Sequence, residues 1–105
     1  MYILPEVIVF WDANFDGESW ATPFPVGWGY SYVGDHWNDQ ISSVIVRCGQ
    51  WQFFLDSNMG GNSTTVGPSC YTFVENQPFN FPNDSISSFQ CVGDWDQGDG
   101  AFNVF

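Results

Sequence analysis

An all-β sandwich of two Greek-key units is the fold class this sequence predicts, on three observations. The first is a duplicated hexapeptide: Asn38-Asp39-Gln40-Ile41-Ser42-Ser43 returns 45 positions on, 83 against 38, as Asn83-Asp84-Ser85-Ile86-Ser87-Ser88. The second is a duplicated hairpin, since Phe10 through Ser19 aligns without gaps on Phe54 through Ser63 at an offset of 44, 54 against 10. A fixed period of this length marks a repeated supersecondary unit. The third is that no helical apolar period persists over about ten residues, whereas short β-branched and aromatic runs bounded by Gly, Pro, Asn and Asp recur throughout. Four short strands per half, eight in all, then pack as two Greek keys.

Val7 to Trp11 reads as the first strand, and Asp12-Ala13-Asn14 with Phe15-Asp16-Gly17 as a folded hairpin in which Gly17 supplies a positive φ. Trp20 to Val26 is a second strand, confined to an edge because Pro23 and Pro25 each remove a backbone donor. Gly29 to Val33 alternates polar and apolar as a half-buried strand should, the first hexapeptide follows as a loop, and Ser43 to Arg47 is the fourth strand. The second half repeats the order with Trp51 to Leu55, a hairpin through Gly60 and Gly61, a strand near Thr64 to Val66, Cys70 to Val74, and Ser88 to Val92. Its Glu75 to Pro82 loop is longer than its counterpart and carries Phe79 and Phe81. Residues 1–92 are therefore expected to form one domain, the first key about 7–47 and the second about 51–92. Residues 93–105 form an acidic tail whose Trp95, Phe102, Val104 and Phe105 are expected to dock in part.

Hydrophobic content of 44% with 20% aromatic residues is that of a packed globule, so the formal net charge of -11 must lie on the outside of something folded. Twelve Asp and Glu stand against Arg47 alone, which leaves no basic footprint for a nucleic-acid backbone or an anionic membrane. No apolar run approaches the 18 or so residues of a spanning helix. Met1 to Pro5 lacks a basic start and a long apolar core, so the chain reads as cytosolic or as a mature excised form, with an extracellular setting favoured. Cys48, Cys70 and Cys91 lack the close paired spacings of a zinc site, and His36 is the only histidine to help them.

The hexapeptide concentrates hard oxygens. Asp39 and Asp84 supply a carboxylate, Asn38 and Asn83 an amide, and the hydroxyls of Ser42 and Ser87 fall three residues further on, so a bent loop gathers them around one point. Ile41 and Ile86 fit as plugs into the core. For a single copy, a turn in which Asn and Asp bond their own backbone is the better explanation. Two copies in register, each after a matched glycine-containing hairpin, weigh towards a site.

These residues resemble the βγ-crystallin superfamily. The paired hexapeptide fits its Asx-Asx-x-x-Ser/Thr-Ser calcium motif, and Phe10 through Ser19 fits its aromatic-x4-aromatic-x-Gly-x-Ser hairpin; the second hairpin departs from it, with Met59 where an aromatic is usual. The resemblance implies two calcium ions, each completed by a hairpin of one repeat and a hexapeptide loop of the other. Carried over by position, the ligands are the side chains of Asp39, Ser42, Asp84 and Ser87 with backbone oxygens of Gln40, Ser85, Glu18 and Asn62, while Asn38 and Asn83 brace the loops. One carboxylate per site implies modest affinity, on the order of micromolar to sub-millimolar. It also implies a Cys48 to Cys70 bridge, because in this fold the fourth strand of one repeat pairs with the third of the other.

The expectation is thus a monomeric, non-catalytic calcium-binding domain stabilised by its metal. The rival is a carbohydrate- or protein-recognising or inhibitor module using the Glu75 to Pro82 loop and exposed aromatics, in which calcium is structural support. An enzyme is disfavoured because His36, beside Asp35, has no nucleophile motif to serve. Asp94 to Gly100 resembles an EF-hand loop but has its third acid and glycine one place late and no room for a closing Glu. Trp11, Trp20, Trp28 and Trp51 fall in or beside strands, where packing is expected rather than sugar stacking.

Overall fold

The computed structural model describes residues 5–77, 79–82 and 85–93. The strands are β1 (Glu6–Asp12), β2 (Asp16–Pro23), β3 (Gly29–Tyr30), β4 (Ser43–Cys48), β5 (Gln50–Asp56), β6 (Gly60–Val66), β7 (Ser69–Tyr71) and β8 (Ser88–Gly93), with one 3-10 turn at Ala13–Phe15. They form two antiparallel sheets ordered β2-β1-β4-β7 and β3-β8-β5-β6. Each repeat therefore gives three strands to one sheet and its third strand to the other. The expected pairing of the fourth strand of one repeat with the third of the other is present twice, as β4 with β7 and β8 with β3. No helix among the described residues is long and apolar enough to cross a membrane.

The core lies between the sheets. Val7 and Val9 of β1, Val44 and Val46 of β4, Trp51 and Phe53 of β5, and Phe89 and Cys91 of β8 alternate inward, and all are buried. Ile41 and Ile86 are both 0% exposed, so the middle of each hexapeptide is pinned by a side chain whose burial contributes about 1.5–3 kcal/mol. The Glu75 to Pro82 loop folds back: Phe79 packs 5.1 Å from Phe53 and 5.3 Å from Tyr71, and Phe81 lies 5.7 Å from Phe79. Its aromatics are core residues, which removes them from the exposed recognition surface expected of that loop. Of the four tryptophans expected to pack, Trp51 is buried and Trp11 and Trp20 rest against the core, but Trp28 is 64% exposed.

The hairpins repeat in backbone as they do in sequence. Asn14 and Phe15 have φ of 60° and 61°, and Asn58 and Met59 both 57°; Gly17 and Gly61 close the turns at 76° and 74°. Met59 takes the conformation of Phe15 without being aromatic. A Cβ on Gly17 would lie 2.6 Å from Asp12 Oδ2, but that carboxylate can swing away, so the positive φ decides. Gly17→Ala is expected to destabilise by more than about 1 kcal/mol in urea unfolding. A loss near zero would mean that the turn relaxes.

Several strand ends depart from the sequence expectation. β2 begins at Asp16 and stops at Pro23, where Trp20 to Val26 was expected, and β6 begins at Gly60 because both hairpins carry pairing up to their glycines. β3 and β7 end early, at Tyr30 and Tyr71, where strands to Val33 and Val74 were expected. The cause is a change of partner: the Val33 N–H donates to the Ser87 carbonyl at 3.0 Å and the Val74 N–H to the Ser42 carbonyl at 2.9 Å. Alternation correctly signalled that both valines are buried, but their backbone bonds reach into the opposite hexapeptide. At the end of β7 the Tyr71 hydroxyl donates to the Gly67 carbonyl at 2.7 Å, and burial pushes its pKa above the usual tyrosine range.

The Cys48 to Cys70 bridge is not formed; Cys48, Cys70 and Cys91 are all thiols. Cys70 lies opposite Ile45, three residues from Cys48 along β4, a separation of about 10 Å against the roughly 7 Å limit for a disulfide. Cys48 also faces the core with Val44 and Val46, while Cys70 shares the outward face of Ile45. Labelling with a thiol reagent without reductant is expected to modify Cys70 in the native protein and Cys48 and Cys91 only after unfolding. A single reactive thiol in the unfolded chain would contradict this.

Candidate functional site

The two hexapeptide corners meet. The Asp39 N–H donates to the Ile86 carbonyl at 3.3 Å, and Ser87 Oγ donates to Asn38 Oδ1 at 2.7 Å. The fifth residue of each motif is fixed on both sides. Ser42 N–H donates to the Phe10 carbonyl at 2.9 Å and Ser87 N–H to that of Phe54 at 3.0 Å, within their own repeats. Their carbonyls accept from Val74 and Val33 of the other repeat.

The sixth residue has a different role, which the sequence reading did not assign. Ser43 Oγ accepts from the Phe15 N–H at 3.0 Å and donates to the Asp12 carbonyl at 2.6 Å. Ser88 Oγ does the same with Met59 N–H at 3.1 Å and the Asp56 carbonyl at 2.6 Å. Both serines are 0% exposed. Each clasps its hairpin shut by supplying partners to two backbone groups that the tight turn leaves over. The signal in the sequence was the retention of Ser at this place in both copies while the third place changes from Gln40 to Ser85.

The sequence-predicted ligands are placed as follows. Asp39 is exposed at φ 60°, Ser42 and Ser87 are 4% and 8% exposed, and Gln40 and Ser85 lie in the two corners. Glu18 and Asn62 sit at equivalent places on β2 and β6, both exposed. Asp84 and Asn83 lie outside the described residues, as does the EF-hand-like stretch at 94–100 and the tail expected to dock. The hairpins lean across the repeat boundary: Asn14 N–H donates to the Thr72 carbonyl at 2.8 Å and Asn58 N–H to that of Ser31 at 2.6 Å.

His36 is a surface residue. Its Nε2 lies 3.0 and 2.9 Å from the two carboxylate oxygens of Glu18, and its ring packs 4.8 Å from Trp11. With side chains 63% and 51% exposed, the pair adds little stability. It does engage the Glu18 carboxylate, leaving the carbonyl as the ligand the resemblance implies. Close by, Tyr32 donates to Asp35 Oδ1 at 2.8 Å. That hydrogen bond above all raises the Tyr32 pKa above the usual tyrosine range, with desolvation and the charges of Asp35 and Asp39 adding to it.

The donor chemistry fits a hard cation. A hydroxyl coordinates through its lone pairs and must place its proton elsewhere, and the proton of Ser87 goes to Asn38. Among the described residues no three of His, Cys, Asp and Glu are grouped. What the corners offer is carboxylate, hydroxyl and carbonyl oxygen, the set that suits calcium rather than a transition metal.

Fold and corners define a class: a duplicated Greek-key sandwich whose repeats exchange their third strands and meet where Asn38 and Asp39 contact Ile86 and Ser87. Solved structures share the fold. A βγ-crystallin from an archaeon is 37% identical with a TM-score of 0.74, covering 85% of this chain and 99% of its own. A βγ-crystallin from Ciona intestinalis is 28% identical with a TM-score of 0.73, covering 82% and 98%. A βγ-crystallin domain from Flavobacterium johnsoniae is 25% identical with a TM-score of 0.60, covering 83% and 93%. The model of peptidase inhibitor family I36 matches residues 9–66. The chain belongs to the βγ-crystallin superfamily and, through that match, to the βγ-crystallin-like inhibitor family I36. No curated protein sequence matches it.

Proposed function

We propose that this domain binds two calcium ions at its paired corners and that the metal stabilises the fold. The ligands are the side chains of Asp39, Ser42, Asp84 and Ser87 and the backbone oxygens of Glu18, Gln40, Asn62 and Ser85. The observation that carries the reading is the Ser87 to Asn38 hydrogen bond, which directs the Ser87 hydroxyl proton away from a coordinated ion while tying one corner to the other. The crossing of each hairpin onto the other repeat, at Thr72 and Ser31, supports sites shared between repeats. A bound cation would supply charge compensation, and binding only to the folded state turns affinity into stability. Calorimetric titration with calcium tests this. About two ions per chain are expected, reduced to one by Asp39→Ala or Asp84→Ala, and no heat with the wild type overturns it.

A second reading is favoured by the family I36 match, which spans more than half of the chain: a non-catalytic inhibitor that occupies a peptidase. It is compatible with calcium as structural support. Titrating the protein against a panel of metallo-, serine and cysteine peptidases tests it, and unchanged turnover at micromolar protein counts against it.

A further inference from the structure

We propose that the outer face of the β2-β1-β4-β7 sheet is a contact surface between two copies of this chain. The proposal does not rest on calcium binding. On this face the strand register sets Ala21 beside Ile8, Ile8 beside Ile45, and Ile45 beside Cys70, an apolar row crossing all four strands. Neither Ile8 nor Ile45 belongs to the core, which takes Val7, Val9, Val44 and Val46 from the same strands. Over Val7 to Val9 and Val44 to Val46, β1 and β4 are thus apolar on both faces, with Ile8 and Ile45 half-buried, a pattern of sheets covered on both sides rather than of antiparallel sheets with one face in water.

The other sheet is the internal control. Its corresponding row is Thr65, Gln52, Gln90 and Gly29. Ile8 and Gln52 occupy the same place in their repeats, as do Ala21 and Thr65, and Ile45 and Gln90. The amides there bond along the surface, Gln90 Nε2 to Gln52 Oε1 at 3.2 Å and Gln52 Nε2 to Ser63 Oγ at 3.0 Å. One fold position therefore carries amides on one sheet and isoleucines on the other, so the fold itself does not demand an apolar side chain there.

Charge selects the occupant. The chain has a net charge of -11 and one basic side chain, Arg47. Arg47 lies on this face one rung from the apolar row, with Nη1 3.4 Å from Glu6 Oε1. A second copy approaching any acidic surface is repelled, whereas here the outward charges cancel around an apolar centre. A basic partner would be drawn to the carboxylates elsewhere. The face can pair with itself about a two-fold axis, which is how most homodimers form. Four side chains bury less than the roughly 800 Å² per partner of a stable interface, so the dimer should be weak and concentration-dependent.

Sedimentation of the full chain over a wide concentration range tests this, with calcium and with chelator. The mass is expected to rise towards twice that of the single chain under both conditions. It should rise further at about 1 M salt, where screening falls to roughly 3 Å and the mutual repulsion of the acidic surfaces is lost. The double variant Ile8→Gln with Ile45→Gln, which copies the residues of the other sheet, should remain at single-chain mass. Arg47→Glu and Ala21→Glu, both exposed substitutions, should also weaken association at least tenfold while keeping the melting midpoint. A wild type that stays at single-chain mass throughout overturns the proposal, and so do variants that associate as the wild type does. Loss of calcium binding with retained association would sink the metal reading alone.

Discussion

Replacing Ser43 or Ser88 by alanine is expected to lower stability by about 1–3 kcal/mol each, because a part-buried backbone N–H and a part-buried carbonyl each lose a hydrogen bond worth about 0.5–1.5 kcal/mol. The loss should be the same in chelator as in calcium. That distinguishes these serines from Ser42 and Ser87, whose replacement is expected to act through the metal. Urea unfolding of the four variants under both conditions makes the comparison. A Ser43→Ala loss below about 0.5 kcal/mol would show that the hairpin does not depend on its clasp, and an effect seen only in calcium would make Ser43 a ligand.

Saturating calcium is expected to raise the melting midpoint by about 10–20 °C per occupied site. A ligand held at a hundred times its dissociation constant adds about 2.7 kcal/mol to the folded state. For a domain of this size each kcal/mol moves the midpoint by about 4–8 °C. Asp39→Ala should abolish roughly half of the calcium-dependent increment and also lower the midpoint in chelator by a few degrees, since Asp39 is exposed but holds a φ of 60° that alanine disfavours. An unchanged midpoint at millimolar calcium would refute the metal reading and leave the sandwich intact.

Much of the fold was legible because the repeat made each half evidence for the other. Gly17 and Gly61, Ile41 and Ile86, and the two hairpins were recognisable in the sequence and hold matching places in the structure. What was not legible depends on partners far away along the chain. Whether Val33 ends a strand is decided by the Ser87 carbonyl, and whether Phe79 is exposed is decided by Phe53. The Cys48 to Cys70 bridge failed on register, which strand order alone does not give. At the site, the oxygen-rich residues were visible in the motif, but the division between Ser87, which bonds an amide across the repeats, and Ser88, which holds a turn closed, needed geometry.

The exchange of third strands has a consequence for how the molecule can come apart. With β3 laid against β8 and β7 against β4, neither half possesses a complete sheet without the other. A half-folded species would strand two open edges and part the valines from the serine carbonyls that receive them, so melting should proceed in one cooperative step. Two separately made halves, each unstructured alone, should knit together on mixing.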